Sequence, residues 1–322
     1  MAHQITIRAD GFAEMAFVGE TPWHGLGQAL DANADMDAWR KAAGMDWTIE
    51  STPVTYAPNN FDAITFPERF VQYRSDTLAP LSVVSARYKP VQPSQVLEFF
   101  NDLAQEHGFK LHTAGTLFGG KRLWALAETG KFAEVSKDDG IGGFLLLSTS
   151  CDKSLATTAR FTSVRVVCNN TLSLATKSEE YVSFTHLTHW DSNRMQDKIA
   201  QQVESFGAFM DMAKFLKKQK CGAAAAQDFM KQILFTPKEL ETMEPASIEK
   251  YRPYRKIMDL FNGEAKGWEL DGVRGTRWGL LNSITEYLDH HSPARSDDAR
   301  LNSAWFGGGD AIKNKAVEVL AA

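Results

Sequence analysis

No apolar run in the 322 residues approaches the roughly 18 needed to cross a bilayer, so no membrane partner is expected. The longest such stretch, Ile141 to Leu147, is short and bounded by glycine, and it reads as a buried strand. Cysteine is scarce. Cys151, Cys168 and Cys221 cannot close a disulfide set, which points to reduced thiols and a cytoplasmic setting. Residues 1–12 lack the basic segment followed by an apolar one that marks a secretory signal. Internal repeats and linker-length low-complexity tracts are also missing. So are a phosphate-binding loop with its lysine, a CxxC pair, an HExxH helix and a defensible nuclease carboxylate set. No cofactor, no metal and no catalytic residue is therefore expected, and the chain reads as a binding protein before an enzyme.

Aromatic residues, by contrast, are abundant. Eight Trp and 20 Phe supply much buried area and argue for a folded chain. The net charge is -5, but it is unevenly distributed. Residues 1–80 carry five Lys/Arg against 11 Asp/Glu, whereas residues 108–177 carry nine against five. A local basic field matters more for nucleic-acid binding than the total charge. The alternative is that these charges solvate the polar face of a sheet.

Periodicity gives an α+β expectation, with a central antiparallel sheet, helices and a helical C-terminal region. Residues 1–80 read as an irregular mixed region, 81–190 as a central α+β core, and 191–322 as a helical region packed on that core. Asp35 is placed to cap a short helix over Met36 to Ala43. Ser94 is placed to cap a helix from Gln95 to Glu106, stopped by Gly108. Two hairpins follow. Phe109 to Leu117 and Lys121 to Thr129 join through Phe118-Gly119-Gly120, and Gly143 to Ser150 joins Ala156 to Val167 through residues 151–154. A long helix is expected from Asn193 to about Lys220, with Ile199, Val203, Phe206, Met210, Ala213 and Leu216 on one stripe. Shorter helices are expected over Tyr254 to Asn262, Thr276 to His290 and Asp310 to Leu320.

Four strings carry a family resemblance. They are Thr21-Pro22-Trp23-His24-Gly25-Leu26-Gly27, Ser85-Ala86-Arg87-Tyr88-Lys89-Pro90-Val91, the run from Thr162 to Leu172, and Gly275-Thr276-Arg277-Trp278-Gly279. In their order and over nearly the whole chain they resemble the phage/plasmid-like protein family of unknown function. The resemblance implies a phage, prophage or plasmid origin and a bacterial host cytoplasm, but no reaction. A second likeness is topological only: a helix, successive hairpins and further helices resemble the core of viral single-strand annealing proteins. It implies a basic groove for a nucleic-acid backbone and assembly into homo-oligomers.

The candidate nucleic-acid surface centres on Lys153 to Asn170. Lys153, Arg160 and Arg165 offer charge, and Asn169 and Asn170 offer hydrogen bonds to phosphate or sugar. Lys121 and Arg122, beside the Gly-Gly turn, extend it. Arg160 and Arg165 have opposite strand parity, so they need a bulge or strand end to share a face. The competing reading is an exposed strand face followed by a helix cap at Asn169 or Asn170. Trp23, His24, Gly25 and Gly27 form a candidate ligand loop, in which Trp23 stacks on a base or else plugs the core. His186 and His189 have metal-like spacing without partners to support it. Asp138-Asp139 beside Gly140 reads as a solvated turn. Arg277 is a possible anion contact at a helix start capped by Thr276, and Trp278 reads as a packing residue.

The leading functional expectation is single-stranded DNA binding and annealing in replication or recombination. The alternative is a host-takeover or counter-defence protein that binds a bacterial protein. A nuclease or nucleotide-processing enzyme ranks last.

Overall fold

The computed structural model describes residues 7–8, 11–19, 26–59, 62–167, 170–172, 182–184 and 206–322. The chain divides into two compact units that alternate along the sequence. The first comprises Met1–Gly130, Leu145–Arg160 and Glu179–Gln201, and the second Lys131–Phe144, Phe161–Ser178 and Gln202–Ala322.

The first unit begins with β1 (Met15–Val18), β2 (Gln28–Leu30) and α1 (Met36–Ala42). Asp35 caps α1, its carboxylate accepting from the Ala38 N–H at 2.8 Å. A three-stranded antiparallel sheet follows, built from β3 (Ile49–Tyr56), β4 (Ile64–Arg74) and β5 (Pro80–Ser85). Next comes α2 (Pro93–His107), which starts two residues before the expected Gln95. Pro93 explains the shift: its fixed φ and missing N–H suit the first turn, so the cap falls on Gln92 rather than Ser94. The Gln95 side chain accepts from the Gln92 N–H at 2.8 Å, and the Gln92 amide brackets the backbone of Ile49 at 2.8 and 3.2 Å. Gly108 ends α2 in the left-handed region, as expected.

The expected hairpins form. They comprise β6 (Lys110–Leu117), β7 (Arg122–Ser136), β8 (Asp139–Ser150) and β9 (Thr157–Arg165). With β10 (Asn170–Leu172) and β11 (Val182–Phe184) they make an eight-stranded sheet, ordered β10-β9-β8-β7-β6-β1-β2, with β11 also on β9. The architecture is α+β, and the sheet is not wholly antiparallel, since β1 pairs with β2 in parallel. Strands β7 and β8 are longer than expected and β9 is shorter, and each of the three has residues in both units. They are buried along most of their length, including Ile141 to Leu147 apart from Gly142. Two pairs of their hydroxyls meet within the sheet: Ser148 pairs with Thr158 at 2.9 Å and Thr149 with Thr157 at 2.8 Å.

The second unit is mainly helical. Helix α3 covers residues 206–218. The described part of the expected stripe, Phe206, Met210, Ala213 and Leu216, is buried there, and the upstream turns lie outside the described residues. Then come α4 (Ala223–Leu234), α5 (Pro237–Thr242), α6 (Pro245–Lys250), α7 (Arg252–Asp259), α8 (Arg277–Glu286), α9 (Asp297–Phe306) and α10 (Gly308–Ala321). Prolines open α5, α6 and α7. Helices α7 and α8 each run on into a wide π-helical turn, Leu260–Glu264 and Tyr287–His291. Thr276 caps α8 as expected, accepting from the Gly279 N–H at 3.1 Å. Helix α8 is buried on every side, which is why it shows no amphipathic stripe.

Candidate nucleic-acid interface

Two turns at one end of the first unit's hairpins are locked together. The β6–β7 turn needs positive φ at Phe118, Gly119 and Gly120 (56°, 70° and 91°). At Gly120 a Cβ would stand 2.7 Å from the Trp47 ring, so only glycine fits. Arg74 supports the turn from beneath. Its guanidinium pairs with Glu14 and Asp76, each at 2.8 Å, lies 4.4 Å above the Trp47 ring, and donates to the Gly119 carbonyl at 3.3 Å. Glu14 is 2% exposed and also accepts from the Thr116 hydroxyl, so this charge is fully partnered inside the unit.

The β8–β9 turn sits against the first. The Cys151 N–H donates to the Lys121 carbonyl at 2.7 Å, and Arg122 donates to the Ser154 hydroxyl at 2.8 Å. Asp152 accepts from the Ser154 N–H at 2.9 Å, an Asx turn that sets the loop shape. This leaves Lys153 exposed, with φ at 67°. A third segment closes on the same place. Buried Tyr88 donates from its hydroxyl to the Ser150 carbonyl at 2.8 Å, and Ser82 donates to the Cys151 carbonyl at 2.6 Å. Tyr88 is thereby fixed while its neighbours Arg87 and Lys89 face solvent.

Arg87, Lys89, Lys121 and Lys153 thus collect on three loops joined by hydrogen bonds, with buried Arg122 behind them and Asp152 as the acidic group on the loop. Phe118, 40% exposed, offers an aromatic face at the same end. Burial shapes the ionisation here. It pushes the Cys151 thiol up to about 12, with Asp152 adding to the rise, so Cys151 stays a neutral packing group. Burial also raises the Tyr88 phenol, keeping its proton on the bond to Ser150. Desolvation lowers Arg122, and Asp152 partly offsets this.

The remaining sequence candidates are placed differently. Arg165 falls in the second unit and is 2% exposed, its Nε donating to Asp139 at 2.5 Å and its Nη1 to the Lys266 carbonyl at 3.2 Å. Asp139 is not part of a solvated turn. It is fully buried at the start of β8 and also accepts from the Trp278 indole at 2.9 Å, because the second unit folds Arg165 and Trp278 onto it. Asn170 is buried too, its amide donating to the Asn282 carbonyl and Thr285 hydroxyl at 3.2 and 3.1 Å and facing His290 at 3.0 Å. Its neighbour Thr171 meets Asp289, which pairs with buried Lys313. Arg160 is half-buried. Trp23, His24, Gly25, Cys168, Asn169, His186 and His189 lie outside the described residues. Gly27 has φ at 105°, with a Cβ position 3.1 Å from the Met15 carbonyl, which explains glycine there by close packing. Arg277 donates to the Leu320 carbonyl at 2.7 Å and lies over Phe229, so it ties down α10.

Lys121, Arg122 and Lys153 are therefore brought together, while Arg165 and Asn170 belong to a buried network in another unit. Sequence reasoning missed Arg87 and Lys89 as site residues. Their signal was the Arg-Tyr-Lys order, in which a tyrosine that buries itself leaves both flanking cations outside. Among the described residues no cluster of three or more His, Cys, Asp or Glu is arranged to hold a metal ion, and no helix is long and apolar enough to cross a membrane.

No curated protein and no solved structure matches the chain. A family model does match, over residues 80–305, which contain the β8–β9 turn, both cations beside Tyr88 and the whole buried Asp139–Arg165 network. The chain belongs to the family described as Domain of unknown function (DUF932).

Proposed function

We propose that the protein binds single-stranded nucleic acid at the hairpin end of its first unit and promotes strand pairing, in the replication or recombination of a phage or plasmid. The observation that carries this reading is the placement of Arg87, Lys89, Lys121 and Lys153 on three loops, two of them each hydrogen-bonded to the β8–β9 turn, near exposed Phe118. Cations on loops held by backbone bonds are pre-positioned for phosphates, and an aromatic face among them accepts any base by stacking. Nothing in this arrangement reads base edges, so binding is independent of sequence. The test is a titration of labelled single strands at low salt, followed by annealing of complementary strands without ATP. Binding in the micromolar range and faster pairing support the reading, and failure of both at every protein-to-strand ratio rejects it.

A second reading rests on a different observation. Strands β3 and β4 pair Tyr56 with Ile64, and these residues and Phe66 are 50%, 47% and 47% exposed. Apolar side chains on an open ribbon with Glu50, Asp62 and Glu68 favour a protein partner, from the host or a second copy of the chain. Substituting Tyr56 and Ile64 by serine should abolish that association and leave strand binding intact.

A further inference from the structure

Within the second unit a cavity of 190 Å³ opens between α7 and the π-helical turn that follows α8. Arg252, Arg255, Lys256, Asp259, Tyr287 and His291 line it. Arg252, Arg255 and Lys256 come from neighbouring turns of α7. The wide turn Tyr287–His291 is closed by the Ser292 N–H donating to the Tyr287 carbonyl at 2.7 Å. This turn sets both of its end residues on the cavity wall, an arrangement that wide helical turns often provide at binding sites.

The charges there are unequally satisfied. Lys256 pairs with Glu264 at 2.5 Å, and His291 lies 3.5 Å from the buried carboxylate of Glu286, which also accepts from the Lys266 N–H. Among the described residues neither Arg252 nor Arg255 has a carboxylate partner, although Asp259 lines the same cavity. Two arginines lining one small concavity can make a fork for a tetrahedral oxyanion, held by several parallel N–H bonds. Tyr287 is buried, which raises its phenol and keeps a proton available to donate.

We propose that this cavity binds the terminal phosphate of a phosphomonoester. Its volume is below the roughly 300 Å³ at which pockets enclose a whole drug-sized ligand. It therefore takes the phosphate head group and leaves the remainder outside. A terminal phosphate, with a charge of about -1.5 to -2 at neutral pH and three free oxygens, uses both arginines, which a bridging diester phosphate does less well. The same chemistry is offered by a free mononucleotide and by the 5′ end of a strand. The inference does not depend on strand binding by the first unit.

The test is calorimetric titration of the whole protein with deoxyadenosine 5′-monophosphate, deoxyadenosine and a short oligonucleotide bearing either a 5′-phosphate or a 5′-hydroxyl. Phosphate-dependent binding is expected, weakened at least tenfold in the Arg252→Ala/Arg255→Ala variant. Both residues are exposed, so the fold should survive, and a circular dichroism melt checks this. Binding of the mononucleotide assigns the site to free phosphomonoesters, and binding of the 5′-phosphorylated oligonucleotide alone assigns it to strand ends. Either supports the proposal. Equal binding of deoxyadenosine, unchanged affinity in the double variant, or no phosphate-dependent heat overturns it. A Lys121→Ala/Lys153→Ala variant should keep phosphomonoester binding, which separates failure here from failure of the strand-binding reading.

Discussion

Replacing Arg165 by alanine should damage the fold rather than a binding surface. Its side chain is 3% exposed and that of Asp139 is 0%, and they meet at 2.5 Å. Removing the guanidinium leaves a carboxylate buried with one neutral donor, the Trp278 indole at 2.9 Å. Breaking a buried pair in this way costs about 3–5 kcal/mol, and so little exposure leaves no solvent screening to reduce it. The lost bond to the Lys266 carbonyl adds to this. For a cooperative unit of this size the cost corresponds to a fall in melting midpoint of roughly 6–20 °C. Denaturant titration followed by tryptophan fluorescence measures it directly, because Trp278 shares the site. Lys153→Ala, at an exposed position, should stay within about 0.5 kcal/mol of the parent protein. An Arg165→Ala variant as stable as Lys153→Ala would refute the reasoning.

Further outcomes follow from the first unit. Gly120→Ala should destabilise by roughly 1–3 kcal/mol from the backbone at φ 91° alone, and by more as Trp47 and Arg74 are displaced, as read by thermal melts. The Cys151 thiol is raised from 9.0 to about 12 by burial, so between those pH values the folded state holds a proton that the unfolded state releases. Stability should therefore fall as pH rises through that window, and a Cys151→Ser variant should lose this part of the alkaline slope. The thiol should also resist iodoacetamide at pH 8 until denaturant is added.

The hairpins, α2 and the stripe of α3 were legible because their signals are local: alternating β residues around Gly-Gly, a glycine stop, and apolar spacing at helical period. The start of α2 was misplaced because Ser94 looked like the cap, whereas Pro93 and the reciprocal Gln92–Gln95 pair set it earlier. The candidate site was legible in half. Lys121 and Lys153 flank turns, and turn residues stay near the surface, whereas Arg122 beside them is buried. Arg165 could not be read because its fate depends on Asp139, 26 residues earlier, and on Trp278, more than 100 residues later. Strand β9 shows the same limit. Its hydroxyl-rich pattern suggested a polar face, yet both faces are largely buried, and the Thr157 and Thr158 hydroxyls pair across to β8.

The salt dependence of single-strand affinity tests the central claim most directly. For the parent protein, log affinity should fall linearly with log salt. Lys121→Ala/Lys153→Ala should bind more weakly with a slope shallower by roughly 1.4, about 0.7 for each phosphate no longer neutralised. Adding Arg87→Ala and Lys89→Ala should flatten it further, with circular dichroism unchanged. Parallel slopes for the parent and the variants, or no strand affinity at low salt, would contradict the account and leave the exposed β3–β4 ribbon as the stronger functional surface.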